Sequence, residues 1–158
     1  MRCLTPLLLL LCLHAPAASS HPLGDAPGRL IDLGERTLHL LCSGHGNPTV
    51  IVDVGLGATS LEWDGVRERL STQQQVCIFE RAGYGWSGMG PWPRTAARNV
   101  DDLREVQRLA GLQPPYVLVG HSYGGFDVQL FARLYPHLVA ALVLVDASHP
   151  EQAERFEA

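Results

Sequence analysis

Four short segments of this sequence are almost entirely apolar: Thr49–Val54, Gln75–Glu80, Tyr116–Val119 and Val139–Val145. Strands with apolar residues on both faces are typical of a parallel sheet that is buried on both sides. Such a sheet needs helices against each face. The segments therefore predict four buried strands with helices in the intervals between them.

Helix signals occupy those intervals. Three helices are predicted: one from a capping box at Thr59–Glu62 to about Leu70, one with the apolar stripe Ala96, Val100, Leu103, Val106 and Ala110, and one that begins after Ser122, carries Phe126, Leu130 and Leu134 on one face and ends at Tyr135. Arg29–Leu33 and Thr37–Cys42 predict a β-hairpin before the first buried strand. The expected fold class is α/β, a mostly parallel sheet with an antiparallel N-terminal edge and helices on both faces. Ligands are expected at the carboxyl ends of the strands.

The first twenty residues have the layout of a secretory signal. Arg2 precedes the apolar run Leu7–Leu13, and small residues follow it. The apolar run is too short for a membrane anchor, which needs about 20 residues. The predicted organisation is a signal peptide at 1–20, a linker at 21–28, the domain at 29–150 and the start of a cap at 151–158, in an exported protein, periplasmic or secreted.

Charge and composition exclude several functions. The net charge is −4, which argues against nucleic-acid binding, and all twelve basic residues are arginine. Without lysine there is no P-loop, no lysine Schiff base and no Ser-Lys dyad. Gly83, Gly85 and Gly88 match a dinucleotide fingerprint, but prolines follow where its helix must begin, so a nucleotide site is rejected.

The chemistry is predicted at Gly120, Ser122 and Gly124, a G-x-S-x-G pattern between a buried strand and a helix. The glycines permit a tight strand-to-helix turn, and the helix N-terminus favours a developing oxyanion. An ordinary glycine-rich helix-entry turn is the alternative. The predicted oxyanion donors are the backbone N–H groups of Leu56, in a glycine-rich loop, and Tyr123.

The segment ERAGYGWS at Glu80–Ser87 is expected to line the same cleft. Its Arg81 is a candidate partner for a carboxylate. Tyr84 and Trp86 either line an acyl pocket or pack in the core, and packing is favoured.

The chain resembles the N-terminal part of an α/β-hydrolase of the serine esterase, lipase and proline-iminopeptidase-like group. Four blocks carry the resemblance in the family's order: VDVGLGATSLEW from Val52, ERAGYGWS from Glu80, YVLVGHSYGG from Tyr116 and LVLVDASHP from Leu142. The resemblance implies that the second and fourth strands are neighbours, which brings Cys42 near Cys77. In an exported protein this pair permits a disulfide, whereas in a reducing compartment it would remain two thiols.

The family order places an acid and then a histidine after the serine. Only His137 and His149 follow Ser122; His137 is expected at the surface, His149 in a loop, and Asp146 as a structural carboxylate near the site. The acid and base are therefore expected to be absent from these 158 residues, and the chain alone is expected to be inactive.

The resulting hypothesis is a serine hydrolase acting on a small-molecule ester or amide through Ser122, with no metal, cofactor or stable membrane span. The alternatives are a truncated non-catalytic fragment and a proline-iminopeptidase-like peptidase. Substrate and oligomeric state are not specified by these residues.

Overall fold

The computed structural model describes residues 21–149 and 151–152. Its strands are β1 (Arg29–Asp32), β2 (Thr37–Ser43), β3 (Thr49–Asp53), β4 (Val76–Phe79), β5 (Tyr116–His121) and β6 (Val139–Val145). Its α-helices are α1 (Asp64–Leu70), α2 (Ala96–Ala110) and α3 (Gly124–Leu134), and 3-10 turns cover Ser60–Trp63 and Pro136–Leu138. The predicted signal peptide and most of the predicted cap segment lie outside the described residues.

The six strands form one sheet in the order β1-β2-β4-β3-β5-β6. Strands β4, β3, β5 and β6 run parallel to one another, whereas β2 is antiparallel to both β1 and β4. This confirms the α/β class, the mostly parallel sheet and its antiparallel N-terminal edge. The expected contact between β2 and β4 is also present.

The main core lies where α2 and α3 cover the central strands. It includes Ile51, Phe79, Leu118, Val128 and Phe131, all fully buried. Burial at this level removes each large apolar side chain from water, a gain of about 1.5–3 kcal/mol per residue. The central strands and the two long helices therefore form a rigid support for the loops that leave β3, β4 and β5.

Helix α2 is capped at both ends. The side chain of Thr95 accepts a hydrogen bond from the backbone N–H of Arg98, at 3.3 Å. At the other end Gly111 adopts a φ of 74°, the left-handed conformation that stops helices. The first predicted helix is shorter than expected. A 3-10 turn occupies Ser60–Trp63, the α-helix α1 follows it, and none of the α1 residues is buried.

The prediction that β6 is buried on both faces is wrong for the described part of the chain. Strand β6 pairs only with β5 in the described part of the chain, and Leu142, Val143, Leu144 and Val145 are 38–47% exposed. On α3, Leu134 is 52% exposed, and the helix buries Val128 and Phe131. The first turn of α3 packs closely, with Gly124 against the end of β3 and Gly125 against Ala147 in the loop after β6.

The segment 21–28, predicted as a linker, packs on the domain. The indole N–H of Trp86 donates to the carbonyl of Gly24 at 3.0 Å, and the His21 and Trp86 rings lie 6.3 Å apart. No helix among residues 21–149 and 151–152 is long and apolar enough to cross a membrane.

Candidate active site

Ser122 lies in the turn between β5 and α3 with a φ of 48°. Residues other than glycine rarely adopt this left-handed conformation, and where they do the surrounding structure must hold them there. Here the Ser122 N–H donates to the carbonyl of Val145 at 3.1 Å, and the Ser122 carbonyl accepts from Gly125 at 3.0 Å and Ser148 at 2.9 Å. The strained serine is therefore fixed by backbone bonds from α3 and from both sides of Asp146.

The glycines on either side of Ser122 are required by close packing. A Cβ atom on Gly120 would lie 2.8 Å from the carbonyl oxygen of Gly124, and one on Gly124 would lie 2.8 Å from the carbonyl oxygen of Val54. Both separations are shorter than real Cβ contacts allow. Strand β5, helix α3 and the end of β3 therefore meet at a spacing that only glycine permits.

The loop after β3 lies directly beside Ser122. A Cβ added to Gly55 would lie 3.5 Å from the Ser122 Cβ, so the loop passes within about one side-chain atom of the serine. The loop closes through a bond from the Ala58 N–H to the Gly55 carbonyl at 3.3 Å, with Gly57 at a φ of 77°. Leu56 is thereby held at the tip of this loop, with its side chain 72% exposed.

The backbone N–H groups of Leu56 and Tyr123 donate no hydrogen bond to any part of the chain that the structure describes. Each is adjacent to the turn that holds Ser122. Unpaired N–H donors beside a nucleophile are the arrangement that stabilises an oxyanion. The structure thus brings together Ser122 and the two amides that the sequence predicts as donors.

Arg81 is buried under this loop. Its Nη1 donates to the carboxylate of Asp53 and, at 2.6 Å, to the carbonyl of Val54; its Nη2 donates to the carbonyl of Gly55 at 2.7 Å. Asp127, on the first turn of α3, lies 3.8 Å from Nη1. A carboxylate partner was predicted for Arg81, but not which residues supply it; they are Asp53 and Asp127. Two features of the sequence could have identified them: Asp53 ends a buried strand, and Asp127 lies in the first turn of a predicted helix.

Burial dominates the electrostatics of these carboxylates. It raises the pKa of Asp53 to about 6, against the opposing effect of Arg81. Burial, and then the charge of Asp53, raise the pKa of Asp127 to about 9. Burial alone would lower the pKa of Arg81, but Asp53 and Asp127 outweigh it and raise that pKa. With Asp127 protonated and Asp53 ionised beside Arg81, the three side chains carry no net charge at neutral pH, which lowers the cost of burying them.

A second buried carboxylate, Glu80, organises the loop after β4. It accepts from the N–H groups of Ser60 at 2.7 Å and Trp86 at 2.9 Å, and it pairs with His39 at 3.0 Å. Burial would raise the pKa of Glu80, but these partners outweigh it and lower the pKa. Trp86 is 7% exposed and packs 5.1 Å from the His39 ring, as the favoured prediction stated.

A cavity of about 300 Å³ opens beside the Leu56 loop. The two predicted oxyanion residues, Leu56 and Tyr123, line it. The loop after β4 and the segment that follows it also contribute side chains, among them Arg81, Tyr84, Met89 and Trp92. The ring of Tyr84 stacks 4.6 Å from the Arg81 guanidinium, so this tyrosine both packs and lines the cavity. The volume is at the lower end of the range for small-molecule sites.

No histidine among the described residues is hydrogen-bonded to Ser122, although the His121 ring lies against Gly55, beside the serine. The His121 ring packs 5.9 Å from Trp63, while His137 and His149 are exposed. Asp146 is also exposed and has a φ of 42°. The described residues also contain no group of three or more potential metal ligands.

Cys42 and Cys77 face each other on the antiparallel strands β2 and β4. Their Cα atoms are 4.0 Å apart, and a disulfide joins them. The two strands lie next to the parallel part of the sheet, so the bond links the antiparallel edge to the core.

Solved structures similar to this chain include hydrolases. The thermophilic esterase from Thermogutta terrifontis is 31% identical with a TM-score of 0.67, over 76% of this chain and 45% of that one. An E-2-(acetamidomethylene)succinate hydrolase is 26% identical with a TM-score of 0.71, over 82% and 47%.

Among curated proteins, one named as a probable transporter, efuK, from Hormonema carpetanum is 32% identical over 86% of this chain and 20% of its own length. The chain thus spans a fifth to about two fifths of the first curated relatives and just under half of the solved structures. Residues 48–158 match the family described as the alpha/beta hydrolase fold. The chain therefore belongs to the α/β-hydrolase fold family.

Proposed function

We propose that the protein is a serine hydrolase that cleaves carboxylic esters through an acyl-enzyme on Ser122. The observation that carries the proposal is the left-handed backbone of Ser122, beside the loop in which the Leu56 N–H has no partner among the described residues. Such strain persists only where the surrounding structure maintains it, and it is concentrated at functional sites. The likeness to an esterase that is 31% identical supports the same reaction class.

The reaction follows from this arrangement. The Ser122 hydroxyl oxygen attacks the acyl carbon and its proton passes to a general base, for which the family order expects a histidine late in the chain. The carbonyl oxygen becomes an oxyanion that the N–H groups of Leu56 and Tyr123 stabilise. Collapse of this intermediate breaks the ester C–O bond, and the leaving alkoxide takes the proton back from the base and departs as the alcohol. Water then attacks the acyl-enzyme, which releases the acid and restores the serine.

The size and lining of the cavity beside the Leu56 loop favour a substrate with a compact, mainly apolar acyl group. Met89 and Trp92 at its wall are 70% and 76% exposed, and Tyr84 and Tyr123 contribute aromatic surface. An acyl chain bound there would lie against apolar side chains while its carbonyl reaches the Leu56 and Tyr123 amides. Esters of short to medium acids are therefore the first substrates to assay.

The test uses the protein expressed from its complete reading frame. A fluorophosphonate should label Ser122, located by peptide mass spectrometry, and Ser122→Ala should lower p-nitrophenyl ester turnover by a factor on the order of 10⁴. The matched control is Ser71→Ala, a serine beyond the end of α1, which should keep wild-type turnover. Labelling elsewhere, or an active Ser122→Ala variant, would refute the assignment. An unlabelled, inactive wild type would instead support the non-catalytic alternative.

We also propose that the protein is exported, because its N-terminal sequence pattern and the Cys42–Cys77 disulfide are both typical of an oxidising compartment. N-terminal sequencing of protein recovered from the periplasm or medium should begin between Ala17 and His21. Protein found only in the cytosol and starting at Met1 would contradict export.

A further inference from the structure

The peptide bond between Gly55 and Leu56 carries two groups with different partners. Its carbonyl, on Gly55, accepts from Arg81 Nη2 at 2.7 Å and from the Ala58 N–H at 3.3 Å. Its N–H, on Leu56, has no partner in the described part of the chain. In a planar trans peptide the C=O and N–H point in opposite directions. Whatever fixes the carbonyl therefore also fixes the direction of the free N–H.

Arg81 is well placed to fix this carbonyl. Its side chain is 2% exposed, and its two terminal nitrogens hold the consecutive carbonyls of Val54 and Gly55 at 2.6 and 2.7 Å. The Asp53 carboxylate holds Nη1, and the Tyr84 and Tyr123 rings lie over the guanidinium at 4.6 and 5.2 Å. The planar fork is thus clamped by charge on one side and by aromatic rings on its faces.

We propose that Arg81 is a positioning residue for the oxyanion hole, holding the Gly55 carbonyl so that the Leu56 N–H faces the oxygen that gains charge during acyl transfer. Without this contact the Gly55 carbonyl keeps only the longer bond from the Ala58 N–H at 3.3 Å, and the peptide turns more easily, because the glycines at 55 and 57 restrict it little. A turned peptide would present a carbonyl oxygen, which repels an oxyanion. The inference rests on the proposed function and adds a residue that does not touch the substrate's reacting atoms.

The experiment compares Arg81→Lys with wild type in the protein from the complete reading frame. A lysine ammonium is one nitrogen, so it keeps the pair with Asp53 and loses the separate contact with the Gly55 carbonyl. Turnover per active site, counted by phosphonate titration, should fall about 10²-fold or more, the usual effect of losing one oxyanion donor. KM should change much less than kcat, because the ground-state ester carries no oxyanion.

The matched control is Arg36→Lys. Arg36 is likewise an arginine paired with an aspartate, Asp102, with its side chain 17% exposed, but it lies in the hairpin before β2. This variant should keep wild-type kcat. A second readout separates positioning from general damage: the inhibition constant of a trifluoromethyl ketone, which forms an oxyanion on the enzyme, should rise in Arg81→Lys by the same factor by which kcat/KM falls. A merely destabilised protein would lose active sites and leave that constant unchanged.

A wild type labelled at Ser122 together with an Arg81→Lys variant of unchanged kcat would overturn the inference alone. A wild type that is never labelled removes the proposed function and the inference with it. If Arg81→Lys does not fold, the crystal structure of the wild-type phosphonate adduct decides. The phosphoryl oxygen should accept from the Leu56 N–H while Arg81 holds the Gly55 carbonyl; an oxygen bound elsewhere would overturn the proposal.

Discussion

Glu80 fills the space beneath Gly85. A Cβ atom on Gly85 would lie 2.5 Å from Oε1 of Glu80, and Gly85 has a φ of 47°. The same carboxylate accepts from the N–H groups of Ser60 and Trp86. The loop after β4 is therefore built around a buried negative charge, with a glycine at the one position where a side chain would displace it.

Glu80→Gln should lower the free energy of unfolding by about 1–3 kcal/mol, because the amide has one acceptor oxygen and leaves one of these two buried N–H groups without a partner. Urea denaturation measures the loss. Since the pKa of Glu80 is lowered in the folded state, its contribution is present above the ordinary pKa and is lost as the pH falls. The control is Glu35→Gln on the exposed hairpin turn, and equal effects from both variants would contradict the prediction.

Asp127→Asn should flatten the pH dependence of stability. Because the pKa of Asp127 is raised from 3.8 to about 9, the folded protein keeps a proton that the unfolded chain has released, so stability falls as the pH rises toward that value. Asparagine has no such proton, and its amide can still accept from Asn99. The urea midpoint should be measured above about pH 7, where Asp53, whose pKa is about 6, is already ionised and only the titration of Asp127 changes the stability.

The control for Asp127→Asn is Asp101→Asn, a substitution at an exposed carboxylate on α2. It should show the same decline in midpoint with pH as wild type. A decline in Asp127→Asn as steep as in wild type would show that Asp127 is ionised in the folded protein.

The disulfide between Cys42 and Cys77 should be present in natively exported protein. Unreduced protein should then show no alkylatable thiol at either position by intact-mass measurement. The two cysteines are 35 residues apart in sequence. Reduction should lower the free energy of unfolding by about 2–4 kcal/mol, because the unfolded chain gains conformational entropy when the loop is opened. Cys42→Ala/Cys77→Ala should be insensitive to dithiothreitol. Two free thiols in unreduced material would contradict the prediction.

Local patterns predicted the parts of this fold that depend on neighbours in sequence. The apolar runs located the buried strands, and the glycines around Ser122 located the turn after β5. The cluster of Asp53, Arg81 and Asp127 escaped prediction because its members come from three distant segments, and no periodicity links them. The apolar run of β6 alone predicted a strand buried on both faces, because such a run indicates that a strand needs cover but not which residues supply it.

The 158-residue chain by itself should be nearly unreactive and only marginally stable. A serine hydroxyl is a weak nucleophile near neutral pH unless a base accepts its proton, and no histidine in the described part of the chain bonds to Ser122. Strand β6 also presents Leu142, Val143, Leu144 and Val145 at 38–47% exposure, with β5 as its one neighbour among the described strands. An exposed apolar edge of this kind favours aggregation.

The purified chain should therefore resist a fluorophosphonate that labels the protein from the complete reading frame, and it should melt in a broad transition. Rapid stoichiometric labelling with a sharp transition would show that a base is present, and His149→Ala would then be the first variant to examine.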